Sequence, residues 1–139
     1  PGIPSEAGNM GKIIAACAGK KPILGICLGH QAIAEYLGAK LNNMSSVYHG
    51  VKNKINILSN EEIFEGIPEK IEVGRYHSWE VVREGLPENI SVTAEDENGT
   101  IMALSDASQK LYGIQFHPES VMTEYGEEMI QNFLKIAQS

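Results

Sequence analysis

The stretch "ILGICLGHQAIAEYLG", from Ile23 to Gly38, joins an apolar run directly to a segment with helical periodicity. The run from Pro22 to Cys27 is too short and too closely flanked by glycine for a helix, so it predicts a buried strand. The segment from Gln31 to Leu37 repeats apolar residues on one helical face, and Gly38 is a natural helix stop. This strand–turn–helix unit places Cys27 on the corner between the two elements.

The rest of the chain predicts helices near both ends and strands between them. A first helix is predicted to start with Ser5 as its N-cap and to close at Gly19, because the apolar residues between them follow helical spacing. A last helix is predicted over Glu127–Gln138, and "ISVTAEDENGTIMAL", residues 90–104, predicts a hairpin with Asn98-Gly99 near its turn. The apolar face predicted for the last helix consists of Met129, Ile130, Phe133, Leu134 and Ala137. Strands between helices, with a strand–turn–helix unit near the start, predict one α/β sandwich domain.

Composition narrows the class of protein. The 139 residues are 42% hydrophobic and carry 18 acidic against 11 Lys and Arg side chains, a formal charge of −7. This balance argues against a nucleic-acid or anionic-membrane surface, and no apolar run is long enough to span a bilayer. With only Cys17 and Cys27 present, reduced thiols and a cytoplasmic setting are expected.

The corner has the form Gly-Ile-Cys-Leu-Gly, residues 25–29, which is the pattern of a nucleophile elbow. Side chains at Gly25 or Gly29 are expected to collide with a strained cysteine between them. The following helix would place its positive end at the Cys27 thiol and lower the thiol pKa, and the Leu28 N–H would face a developing oxyanion. The alternative is a small buried hydrophobic residue at the end of a core strand.

A catalytic thiol needs a base, and His117 is the best placed of four histidines. It ends the predicted strand Leu111–Phe116, and Glu119 follows two residues later, where it can orient the imidazole. For His117 alone, a hydrogen-bonded histidine at a strand end is the alternative. The histidine and cysteine spacings match no common metal motif, so no metal site is expected. No cofactor is expected either.

Three blocks resemble class I glutamine amidotransferases, in particular the glutaminase subunits of anthranilate synthase (component II) and aminodeoxychorismate synthase. They are "PILGICLGHQAIAEYLGAKL" (22–41), "GRYHSW" (74–79) and "YGIQFHPES" (112–120). The resemblance implies a flavodoxin-like sandwich without the N-terminal β-α-β portion of the family. Residues 1–139 would then form the C-terminal part of a glutamine amidotransferase domain.

The resemblance also implies roles for single residues. Cys27 would be the nucleophile, His117 the general base and acid, and Glu119 its orienting partner. The residues implied to hold the substrate or its oxyanion are Gly2, Leu28, Gln31, Ser78 and Trp79. The substrate would be L-glutamine, and the released ammonia would pass to a chorismate-using synthase subunit that makes anthranilate.

Two other functions fit the same motifs, and two fit them less well. An aminodeoxychorismate synthase glutaminase has the same motifs, and an amidotransferase-like module that only binds a partner would keep the fold. Amidotransferases serving guanylate or carbamoyl phosphate synthesis differ in the block "RYHSW". Cysteine hydrolases with the same elbow would not be expected to share both of the other blocks.

Overall fold

The computed structural model describes residues 10–43, 50–59, 61–77 and 79–138. The helices are α1 (Met10–Cys17), α2 (Leu28–Tyr36) and α3 (Gly126–Gln138). The strands are β1 (Ile23–Ile26), β2 (Leu41–Asn43), β3 (Val51–Ile57), β4 (Lys70–Arg75), β5 (Trp79–Val81), β6 (Ser91–Asp96), β7 (Ile101–Asp106) and β8 (Leu111–Ile114). Within these ranges, no helix has the length and apolar character needed to cross a membrane.

Six strands form one mixed sheet in the order β1-β8-β7-β6-β3-β4, and β2 pairs with β5 in a separate two-stranded sheet. Among the described strands of the larger sheet, only β1 and β8 pair in parallel. Parallel strands need a crossover connection, and the chain between β1 and β8 contains α2 and the antiparallel strands. The carboxyl ends of β1 and β8 consequently meet at one edge of the sheet, where Cys27 and His117 follow.

The sheet lies between two apolar layers. On one face, α1 and α2 bury Ile14, Ile33 and Leu37, and on the other face α3 buries Met129 and Ile136. All six residues of β7 are buried, as expected for a strand covered on both faces. The prediction of an α/β sandwich is therefore confirmed.

The predicted apolar face of α3 is wrong in part. Leu134 is 52% exposed, whereas Asn132 and Ile136 are buried. The side-chain amide of Asn132 donates hydrogen bonds to the carbonyls of Ile63 and Glu65, both at 3.0 Å. A polar residue can face the core here because two backbone acceptors satisfy it, and hydrophobic periodicity does not reveal such partners.

Candidate active site

Cys27 occupies the turn between β1 and α2. Its backbone has φ 56° and ψ −102°, a strained conformation for a residue with a side chain, and it is the N-cap of α2. The helix begins at Leu28, three residues before the predicted start at Gln31. Because the strand passes into the helix through a single residue, the Cys27 side chain is held at the carboxyl end of β1.

The two glycines of the elbow do not have equal roles. A β-carbon on Gly25 would overlap the carbonyl group of Gly29 and lie 2.8 Å from Cδ1 of Ile33. Among the residues that the structure describes, a β-carbon on Gly29 would meet no such neighbour within 4 Å. The expectation that both glycines avoid a collision with the cysteine is therefore corrected. Of the two, Gly25 is the one with a close neighbour within the described residues, and it makes room for the backbone of α2.

The Cys27 thiol is largely buried and has two polar neighbours. Its Sγ donates to the carbonyl of Tyr76 at 3.7 Å and accepts from Nε2 of Gln115 at 3.8 Å. Burial raises the pKa of the Cys27 thiol, although hydrogen bonds from the Leu28 N–H and Gln115 act to lower it. The expected net lowering of this pKa at the helix N-terminus is thus not found, because burial outweighs the hydrogen bonds that favour the thiolate.

His117 and Glu119 form a hydrogen-bonded pair just beyond β8. His117 Nδ1 donates to Glu119 Oε2 at 2.8 Å, which leaves Nε2 as the ring nitrogen able to accept a proton. Burial acts to raise the pKa of the Glu119 carboxyl. The hydrogen bond from His117 and the positive charge of protonated His117 outweigh burial, so the net shift of the Glu119 pKa is downward. Tyr76 packs edge-on against the His117 ring, with 5.1 Å between the ring centroids.

The backbone of His117 is held in place by a residue six positions later. Thr123 Oγ1 donates to the carbonyl of His117 at 2.7 Å and accepts from the N–H of Gly74 at 2.9 Å. A β-carbon on Gly74 would lie only 2.9 Å from Oγ of Ser120. The loop after His117 is therefore packed closely onto β4, and this packing positions the imidazole.

One cavity of about 780 Å³ brings these groups together. It is lined by Ile26, Cys27, Leu28, Tyr76, His117, Glu119, Ser120 and Val121. Among the hydrogen bonds of the described residues, none joins Cys27 directly to His117. The same part of the chain contains no cluster of three His, Cys, Asp or Glu side chains that could hold a metal ion.

Other residues implied to bind substrate lie elsewhere. Gln31 is buried behind Cys27, where its Nε2 donates to the carbonyl of Trp79 at 3.0 Å and to Oε1 of Gln115 at 3.1 Å. Neither Gln31 nor Trp79 lines the cavity, so a contact of either with substrate stays a prediction. Gly2 and Ser78 lie outside the described residues.

Sequence reasoning did not identify the buried polar groups behind the cavity. Arg75 pairs with Asp96 at 2.8 Å and donates through Nε to Nε2 of His77 at 3.0 Å. Burial, together with the positive charge of Arg75, lowers the pKa of His77 to about 4. Arg75 and His77 belong to the block "GRYHSW", and Gln115 belongs to "YGIQFHPES". The signal available in the sequence was that Arg75 and Gln115 are polar residues at the ends of apolar strands.

Comparison with known proteins identifies the family. The family model for glutamine amidotransferase class-I matches residues 1–137. The chain is 44% identical to anthranilate synthase component 2 of Lactococcus lactis, over 96% of this chain and 68% of that protein. It is 42% identical to aminodeoxychorismate/anthranilate synthase component 2 of Bacillus subtilis, over 97% of this chain and 69% of that protein.

A solved structure supports the same relationship. A Thermoplasma acidophilum protein, assigned to a GMP synthase, superposes with a TM-score of 0.86 and 32% identity over 96% of this chain. This chain spans 65% of the length of that solved chain. It spans 23% of a bifunctional relative from Thermotoga maritima and 18% of a multifunctional relative from Schizosaccharomyces pombe. The family match over nearly all residues, with the elbow and the histidine at one sheet edge, shows that this chain belongs to the class-I glutamine amidotransferase family.

Proposed function

We propose that this chain forms a glutaminase site in which Cys27 is the nucleophile, His117 the general base and acid, and Glu119 the orienting carboxylate. The observation that carries the proposal is the shared cavity, which is lined by the elbow cysteine and by the His117–Glu119 pair. Family membership supplies the reaction class, hydrolysis of the side-chain amide of glutamine.

The first half of the reaction forms a thioester. His117 takes the thiol proton, and the Cys27 sulfur attacks the carboxamide carbon of glutamine. The resulting oxyanion accepts a hydrogen bond from the Leu28 N–H, and Gly2 is expected to add a second donor. The C–N bond then breaks, and His117 returns its proton to the departing nitrogen, so that ammonia and a γ-glutamyl thioester result.

The second half regenerates the enzyme. His117 accepts a proton from water as the water oxygen attacks the thioester carbon, and the C–S bond then breaks. The sulfur recovers the proton, so the net reaction converts glutamine and water to glutamate and ammonia. Glu119 keeps the Nδ1–H of His117 in place throughout and does not itself carry the proton.

The ammonia would serve a chorismate-using synthase subunit that makes anthranilate for tryptophan synthesis. The name of the Lactococcus lactis relative supports this destination. Supply to an aminodeoxychorismate synthase is the second candidate, which the double name of the Bacillus subtilis relative supports. We also propose that Gln31, Ser78 and Trp79 contact the substrate. A cytoplasmic location is proposed as well, and the charge of −7 and the two free cysteines argue for it.

Labelling with a chloroketone analogue of glutamine tests the proposal. The purified protein should take up one label, at Cys27, and excess glutamine should block it. The Cys17→Ser variant should label like the wild type, whereas Cys27→Ser should not label. Cys27→Ser should also lose glutamine-dependent synthesis with the synthase partner while keeping synthesis driven by added ammonia. A folded protein whose labelling glutamine does not block would refute the glutaminase assignment and favour a module that only binds its partner.

A further inference from the structure

We propose that Gln115 stabilises the thiolate of Cys27 by donating a side-chain N–H to the sulfur, and that a buried hydrogen-bonded chain starting at Asp96 holds the Gln115 amide in the orientation required. The inference rests on the proposed role of Cys27 as nucleophile and adds a residue to that site.

The two polar neighbours of the sulfur behave differently when the thiol ionises. The Tyr76 carbonyl, 3.7 Å from Sγ, can only accept a hydrogen bond, so it favours the protonated thiol. Nε2 of Gln115, 3.8 Å from Sγ, can only donate, so its contact strengthens when the sulfur becomes negative. Gln115 is fully buried, and water cannot replace its N–H there.

Hydrogen-bond chemistry determines which end of the Gln115 amide faces the sulfur. Trp79 presents a carbonyl, so the nearby group of Gln31 must be its NH₂, which donates at 3.0 Å. The second proton of the same NH₂ points to Gln115 at 3.1 Å, so Gln115 must present its oxygen to Gln31. The NH₂ group of Gln115 is then left to face Cys27.

The Trp79 carbonyl is itself anchored from the other side. Nδ1 of His77 donates to it at 3.0 Å, and Nε2 of the same ring accepts from Nε of Arg75. Arg75 is held by Asp96, which also accepts two backbone N–H groups in the turn between β6 and β7. The hydrogen-bonded chain thus runs from the turn after β6 to the nucleophile, and Gln31 is a positioning residue within it.

The pH dependence of Cys27 alkylation by iodoacetamide tests the inference, because the thiolate is the reacting species. Peptide mapping reads Cys27 separately from Cys17. In Gln115→Leu the midpoint of the curve of Cys27 alkylation rate against pH should rise by about one pH unit. Alkylation at neutral pH should then slow about tenfold. Asn132→Leu is the matched control, since it also removes a buried side-chain amide, and its midpoint should equal that of the wild type.

Two further measurements sharpen the outcome. Gln31→Met frees the Gln115 amide to rotate, so its midpoint should rise by less than that of Gln115→Leu, and the double variant should show less than the sum of the two shifts. An unchanged midpoint in a folded Gln115→Leu protein would overturn the inference, as would an equal rise in Asn132→Leu. Alkylation needs no glutamine, so wild-type protein that glutamine fails to protect would refute the glutaminase function without affecting this result.

Discussion

Gly25 of β1 lies against the backbone of Gly29 in α2, across the corner that carries Cys27. A β-carbon at Gly25 would overlap the carbonyl group of Gly29. The close approach allows the strand to pass into the helix through one residue. A side chain at position 25 would push the start of α2 away from β1. The Cys27 sulfur would then move relative to His117, which a different strand holds.

Gly25→Ala should therefore lower the free energy of unfolding by about 1–3 kcal/mol, the usual effect of overpacking, and should reduce glutaminase activity. Gly29→Ala is the matched control, because the added methyl meets none of the described residues within 4 Å and alanine favours a helix. Urea unfolding of both variants measures the difference. Equal destabilisation of the two would show that the tight contact does not shape the elbow.

His117→Ala should abolish most glutamine hydrolysis, by a factor of about 10²–10⁴, because both proton transfers pass through the imidazole. Glu119→Gln should reduce kcat less, since the amide can still hold the ring while losing the negative charge. Steady-state assays of ammonia release rank the two variants. A greater loss in Glu119→Gln would mean that the roles of the two residues are misassigned.

The Arg75–Asp96 pair is almost completely buried, so breaking it should be far more damaging than breaking an exposed pair. Asp96→Asn should cost about 3–5 kcal/mol of unfolding free energy, because the buried Arg75 guanidinium loses the carboxylate that lies 2.8 Å away. Lys52→Met removes the partner of Glu72, a pair at 3.8 Å with both side chains at least 37% exposed, and should cost less than about 1 kcal/mol. Similar losses in the two variants would contradict this account.

Acid should destabilise the protein through its buried histidines. Burial lowers the pKa of His30 to about 3, so between its ordinary value of 6.5 and about 3 the unfolded chain binds a proton that the native protein does not. His77 acts in the same direction down to about pH 4. Stability is therefore lost as the pH falls from about 6.5, by about 1.4 kcal/mol per pH unit for each histidine.

In His30→Leu the contribution of one of these histidines disappears. Urea unfolding at several pH values between 4.5 and 7.5 should give a shallower dependence on pH than in the wild type, whatever the stability of the variant at pH 7.5. Identical slopes in the two proteins would show that His30 does not set the acid sensitivity.

Local sequence patterns were sufficient for the elements that carry the proposed chemistry. Three features depend only on neighbours within a few residues. They are Gly25, two positions before Cys27, the apolar run of β1, and the face of α2 formed by Ile33, Ala34 and Leu37. His117 and Glu119 could be paired for the same reason, since only Pro118 separates them. Strand β8 ends at Ile114, two residues before its predicted end at Phe116.

The amino-acid sequence by itself determined the elbow, the identity of the candidate nucleophile and base, and the α/β class, because periodicity and glycine spacing are local properties. The tertiary structure decided which polar groups could be buried. Gln115 lies against Cys27 and Asn132 against Ile63 only after distant segments have packed. Burial then reversed the expected direction of the Cys27 pKa shift, since desolvation of a thiolate depends on every element around it.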